Sequence, residues 1–431
     1  MKHTIILATA LALGMARLSG AAAEEKNTAL SGSMQSLTIE QAVRKALDYR
    51  PEVKKFKSQA KALGAKSVSV KKIPEPMISG SAGIPFTDPL SIPEASVMIS
   101  QSFPLSNAPK HEGEIYEKEK TSVEWMAEVA ALDIRYEVET QYIGIATMQE
   151  ERKVLVDLLA LAQQVVEASS LLVSSGSGEA SMVSRAQVEV EQIKSDIKKL
   201  DESLAAEKVT FALMTGMDPA EAAGTLFTMP PHRDIDADLA KAFAQALEAR
   251  PELKSLGGEI ESTAAMKKAA KDGYYPMMTI SAGYTYKNDE LMGLMGKDLF
   301  MISAGITIPL WFKKYKAGVE EAEQTAAALG QEKKTQELMI KEEVVAATGR
   351  LKTLQAEIDS LDGSIIPQIR TTLDLQMASF SSGKGSLIDV IDSLGTLSMS
   401  LMKRATLEGE HAKARAAYYR AIAADDEGAW E

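Results

Sequence analysis

The chain has 431 residues, 45% of them apolar and only 5% aromatic, with a net charge of −12 and no cysteine. That length and apolar share suffice for two or three ordinary domains with a full core. The acidic balance argues against nucleic acid or anionic lipid as partners, which are bound by clustered Lys and Arg, and the missing cysteine excludes disulfides and a lipidated N-terminal Cys.

The first 23 residues read as a secretory signal peptide: Lys2, an apolar run over 5–15, then small residues at Ala21, Ala22 and Ala23, with cleavage after Ala23. No later segment offers the roughly 18 to 20 consecutive apolar residues of a spanning helix, so a membrane crossing has to use strands. From about Leu37 to Ser69 the pattern is helical, with Thr38 as N-cap and Gln41 three residues on, broken and restarted at Arg50-Pro51. The phrase "ALDYRPEVK" around that break returns two hundred positions later as "ALEARPELK", and "PMISGSAG" from Pro76 returns as "PMMTISAG" from Pro276. A period of this length exceeds any solenoid unit, so each half is a whole structural motif.

A hairpin is expected at about 76–105, with Ile78, Ala82, Ile84 and Phe86 facing one way and Ser79, Ser81 and Gly83 the other, then Val97, Ile99 and Phe103 against Ser100 and Ser102. Its counterpart at about 276–310 is cleaner. Met278, Ile280, Ala282, Tyr284 and Tyr286 alternate with Thr279, Ser281, Gly283 and Thr285, and an apolar face runs from Phe300 through Ile302, Ala304, Ile306 and Ile308 to Leu310. Each strand has about ten residues, the length of a tilted membrane strand, and no charge on its apolar face. After each hairpin the period turns helical for about 65 residues, roughly 100 Å at 1.5 Å per residue. The arms end in glycine-serine turns that hold Gly176 and Gly178 in one case and Gly383 and Gly385 in the other. Return helices follow with three-four stripes, Val190, Ile193, Ile197, Leu200, Leu204 and Leu387, Val390, Leu394, Leu397, Leu401, which argue coiled-coil packing. The organisation is thus a first repeat over 24–214, a linker over 215–239, a second repeat over 240–423 and an acidic tail over 424–431.

Four strands cannot close a membrane barrel, whose smallest single-chain form has eight, and an open edge in lipid costs several kcal/mol per unpaired group. Other copies must supply the rest, and three copies give twelve. The doubled "RPE" helices, the "ISAGITIPLW" strand leading into "KAGVEEAEQ", and the run "FSSGKGSLIDVIDSLGTL" resemble the outer-membrane efflux family, the TolC-like exit ducts of Gram-negative envelopes. "PEPMISG", "SQSFPLSNAPK" and "DLFMISAGITIPLWFKK" are similar to its heavy-metal branch, typified by CzcC and CusC. The resemblance implies an α+β membrane protein: a homotrimer in the outer-membrane lipid, with a 12-stranded β-barrel above a long periplasmic coiled-coil α-helical barrel. It also implies partners, a periplasmic adaptor (membrane fusion protein) and an inner-membrane pump of the RND type.

Asp389 and Asp392 fall on the acidic positions of the family's tip motif, and their i, i+3 spacing puts both on one helical face. Three-fold symmetry would make them two carboxylate rings that gate the narrow end. The plainer reading is negative charge near a helix N-terminus, worth about 0.3 to 1 kcal/mol. The family's locking Arg and Tyr are replaced by Gly385 and Phe380, and Met182 stands where the first repeat can carry an acid, so Lys384, Glu179 or Arg185 become candidates for holding the tip closed. Enzymatic chemistry has no nucleophile-base pair, no metal-ligand spacing among His3, His111, His232 and His411, and no phosphate-binding loop. Met292, Met295 and Met301 suggest a soft-metal site, against which stands the ordinary use of Met as a gap-filler. The competing classes are a soluble periplasmic coiled-coil adaptor or scaffold, and the exit duct of a protein or drug exporter.

Overall fold

In the computed structural model the described residues are 37–83, 94–231, 238–287 and 298–424. The signal peptide, Ile84, Phe86, Met292, Met295, His232 and the acidic tail beyond Ala424 lie outside them. Each half runs through two short helices, a β-hairpin, a very long helix, a tight turn and a long return helix. The first half comprises α1 (Ile39–Tyr49), α2 (Pro51–Val70), β1 (Met77–Gly83), β2 (Glu94–Pro104), α3 (Ala108–Ser174) and α4 (Ala180–Thr215). A short α5 (Pro219–Gly224) stands in the linker; Asp218 caps it by accepting from Ala220 N at 2.8 Å, and Pro219 opens it. The second half comprises α6 (Leu239–Ala249), α7 (Pro251–Asp272), β3 (Met277–Lys287), β4 (Leu299–Ile306), α8 (Phe312–Ser360), α9 (Ile366–Ser381) and α10 (Leu387–Ile422).

Local chemistry accounts for the boundaries. Thr38 and Gln41 form a reciprocal capping box at α1. Arg50 and Arg250 adopt extended ψ values of 136° and 120° before their prolines, which splits each entry helix in two. The same arginines then tie the break to the long helices. Arg50 donates to Glu52 at 2.6 Å and to Glu137 in α3, and Arg250 donates to Glu252 at 2.7 Å, to Glu343 in α8 at 2.8 Å and to the carbonyls of Arg420 and Ala421. The Arg50 guanidinium holds the Glu52 carboxyl below the usual carboxylate range. Arg250 is only 1% exposed, so its charge survives burial because every arm of the guanidinium is engaged.

Two features differ from the expected pattern. β4 ends at Ile306, and Ile308 and Leu310 lie beyond it, because Pro309 has no N–H for a ladder; the pairing closes with Thr307 N donating to Met277 O at 2.9 Å. The second arm is not one unbroken α-helix: residues 361–365 form a π-turn between α8 and α9, with Ile366 N donating five residues back to Leu361 O. Pro367 cannot donate into the ladder and its ring crowds the preceding turn, and the wider turn makes room.

Two buried clusters hold the helices. At the waist, Ile39, Val43, Val138, Phe211, Met217 and Phe227 pack together, and Tyr142 donates to Leu37 O at 2.7 Å while accepting from Thr228 N at 3.1 Å. The linker is therefore part of the core there. Toward the turns, Leu158, Val165, Val190 and Ile193 meet Leu354, Leu394 and Leu397, the stripes read from the sequence. One 18-residue window of α3 reaches a mean hydropathy of 1.4, enough by composition to cross a bilayer. Within the chain 28% of that window is buried.

Candidate functional site

The four strands form one antiparallel sheet in the order β1–β2–β3–β4, so the two hairpins join through β2 and β3. Alternation combined with this register sorts the side chains into rows. Ile78, Ile99, Ala282 and Ile302 line up on one face, as do Val97, Tyr284 and Phe300. The opposite face carries Ser81, Ser96 and Thr285 in one row, Ser100, Ser281 and Ser303 in another, and Ser102, Thr279 and Gly305 in a third. Hydroxyls bridge the strands there, Ser81 to Ser96 at 2.8 Å and Ser102 to Thr279 at 2.9 Å.

This sheet is inside out relative to one that folds in water. Ile78, Phe300 and Ile302 are 72%, 71% and 74% exposed, whereas Thr285 on the hydroxyl face is buried. Each large apolar side chain left in water forgoes about 1.5–3 kcal/mol of burial. Gln101, an amide on that face, sits near the helix end of the sheet and donates to Pro74 O at 2.6 Å. Eleven residues of β3 at about 3.3 Å each, tilted near 40°, rise about 28 Å, which matches an apolar membrane band of about 25 Å. Aromatic residues mark both ends, Tyr284, Tyr286 and Phe300 away from the helices and Tyr274, Tyr275, Trp311 and Phe312 beside them, as membrane interfaces favour. The outer edges of β1 and β4 pair with no strand among the described residues. Beneath the sheet, His111 Nδ1 and Asp272 Oδ2 lie 2.6 Å apart and fasten the start of α3 to the end of α7.

At the other end the two glycine pairs divide the work of the turns. Gly176 and Gly383 have φ of +78° and +75°, the left-handed region that side chains disfavour. Gly178 and Gly385 are needed for closeness: a Cβ on Gly385 would stand 2.6 Å from Phe380 N, and one on Gly178 3.2 Å from Val173 N. Leu172 of the first turn lies against Gly383 of the second, so the two turns form one tip. Ser386 caps α10 by accepting from Ile388 N at 3.1 Å. Asp389 and Asp392 are exposed on α10, opposite the buried Leu387, Val390 and Leu394, and neither carboxylate has a partner within the described chain. Ser181 donates to Glu179 at 3.2 Å, and Lys384 and Arg185 are exposed with no partner among the described residues.

Met301 faces the hydroxyl side of the sheet, in the row of Met98 and Gly283; Met292 and Met295 lie outside the described residues. Among the described residues no group of three or more His, Asp or Glu could hold a metal ion. Sequence reasoning missed Glu137 and Glu343 as the far partners of the two arginines, and the joining of the hairpins through β2 and β3.

A sheet with an exposed apolar face, continuous with helices some 100 Å long, is the architecture of outer-membrane channels with a large periplasmic helical portion. The resemblance carried by the motifs is borne out: residues 242–424 match the family model described as outer membrane efflux protein, a family of channels. No curated protein sequence matches the chain. Among solved structures the fold is similar to the outer-membrane channel OprN, with a TM-score of 0.74 at 16% identity over 90% of both chains. It is also similar to VceC from Vibrio cholerae (TM-score 0.73, 16% identity, 90% of this chain and 96% of that one) and to CusC (0.73, 16%, 91% and 93%).

Proposed function

We propose that the protein is the exit duct of a tripartite efflux system, a homotrimer that conducts its cargo passively from a periplasmic adaptor and an inner-membrane pump to the outside. The observation that carries this reading is the inside-out sheet with two free edges. Alone it would leave unpaired backbone groups in lipid, and three copies joined β4 to β1 supply a closed barrel of twelve strands lined by hydroxyls. A soluble adaptor would need the apolar face buried, and here it is exposed. The motifs similar to the heavy-metal branch make heavy-metal cations the proposed cargo and an RND-type pump the proposed partner. Similarity of fold does not separate this from drug or protein export, since OprN, VceC and CusC stand at equal identity.

Asp389 and Asp392 serve as the gate in this reading. Three copies bring six carboxylates with no partner among the described residues of their own chain to one narrow end, where they concentrate cations and form the constriction of the closed tip. Replacing both (Asp389→Ala with Asp392→Ala) is expected to lower cation selectivity and raise conductance in planar bilayers. Unchanged selectivity and conductance would remove the gate from these residues while leaving the duct.

A further inference from the structure

Within the chain, the helices below the sheet follow one another as the strands do: α2 packs on α3, α3 on α7 and α7 on α8. The seam between α3 and α7 is where the first repeat meets the second. Lys118 donates to Glu261 at 2.6 Å, Lys268 to Glu114 at 3.4 Å, and Ser122 and Ser255 share a hydrogen bond of 2.9 Å. Gly258 comes so close that a Cβ there would stand 2.9 Å from Ser122 N, and Ser255, Gly258 and Ser262 are all buried.

The equivalents of this seam at the two ends of the row are uncovered. The entry helices repeat at an offset of 200, Pro51 to Pro251, and the long helices at 205, Phe103–Leu105 to Ile308–Leu310 and Gly113 to Gly318. Lys55, Ser58 and Ala62 of α2, which correspond to the buried Ser255, Gly258 and Ser262, are exposed, and Val68 is 62% exposed. On α8 the counterparts of Glu114, Lys118 and Ser122 are Val319, Glu323 and Ala327.

We propose that α8 of one copy packs on α2 of the next in the geometry of the α3–α7 seam within a chain, with Glu323 paired to Lys61 and Val319 packed on Val68 of a second copy. This rests on the trimeric reading above and deepens it. Three of the four intrachain contacts have a complementary counterpart across the proposed seam; the Ser122–Ser255 hydrogen bond, whose counterparts are Ala327 and Lys55, does not. The Lys118–Glu261 pair becomes Glu323–Lys61 with its charges exchanged, the Lys268–Glu114 pair becomes Val68–Val319, and the close approach of Gly258 to Ser122 becomes Ser58 against Ala327. Within one copy Val68 is exposed and Val319 half-buried, and Lys61 and Glu323 carry opposite charges on exposed faces of the two helices. Glu323 already meets Lys267 at 2.9 Å but is half exposed, which leaves room for a second cation. The free edges of β4 and β1 lie above the same two helices, so one rotation closes sheet and helices together.

The test uses the full-length chain, which has no cysteine of its own. Val68→Cys and Val319→Cys are introduced together, and the detergent-extracted protein is treated with a short bis-maleimide. A chain with Glu114→Cys and Lys268→Cys reports the equivalent linkage within one copy. The expected result is a covalent species of three chains on a denaturing gel for the first pair, no ladder for either single variant, and a single-chain band with both thiols consumed for the second pair. A native three-chain particle whose Val68→Cys/Val319→Cys form stays single-chain, while the second pair reacts, would overturn the seam and leave the trimer standing. A native particle of one chain would overturn the trimer and the seam with it.

Discussion

The two arginines before the doubled prolines show how one residue joins distant parts of this chain. Arg250 is 1% exposed and neutralises Glu252 and Glu343 while satisfying two carbonyls at the end of α10. Arg250→Ala leaves two carboxylates and two carbonyls without their donor, and the expected loss is about 3 kcal/mol, the low end for breaking a buried pair. Arg50 is more open and has fewer partners, so Arg50→Ala should cost less, about 1 kcal/mol. Denaturant unfolding of the two variants in detergent checks the order, and equal losses would mean that burial is not what distinguishes them. The helix break was legible from the proline and the echo. The acids were not, because Glu137 and Glu343 lie 87 and 93 residues downstream, in long helices where glutamate is an ordinary surface choice.

Among the elements, the strands and the tip were the most legible. A two-residue period with hydroxyls opposite aliphatics allows little but a sheet wet on one side, and the register confirms that the faces sort as read. The pairing of β2 with β3 could not be read, since nothing local in either strand names a partner some 180 positions away. The second arm was read as continuous helix, and the π-turn over 361–365 beside Pro367 was not legible because its form depends on packing. At the tip, the glycine pairs were visible as turns, while their division into a conformational and a steric glycine required the backbone. Gly385→Ala is expected to destabilise the tip by about 1–3 kcal/mol, because the methyl meets the backbone of Phe380 rather than a movable side chain. Limited proteolysis should show new cleavage near 380–386; resistance equal to the parent chain would mean that the turn relaxes at no cost.

At the scale of the whole molecule, duplication and membrane insertion explain each other. A chain that repeats one motif twice makes a sheet of four strands with two free edges, and a face that repels water on the outside of that sheet. In the proposed trimer such an object is completed as part of a ring in lipid. The four strands and their two faces were legible because they follow from period and length. The cargo was not, because the described inner face of the sheet presents hydroxyls, glycines and a few methionines, which admit many solutes. The most direct test of the account is the native mass of the mature protein together with the condition for its release from membranes. The account predicts a particle of three chains that leaves the membrane fraction only with detergent. A single chain or a pair that stays in solution without detergent would contradict it, since the exposed strands would then never meet a bilayer.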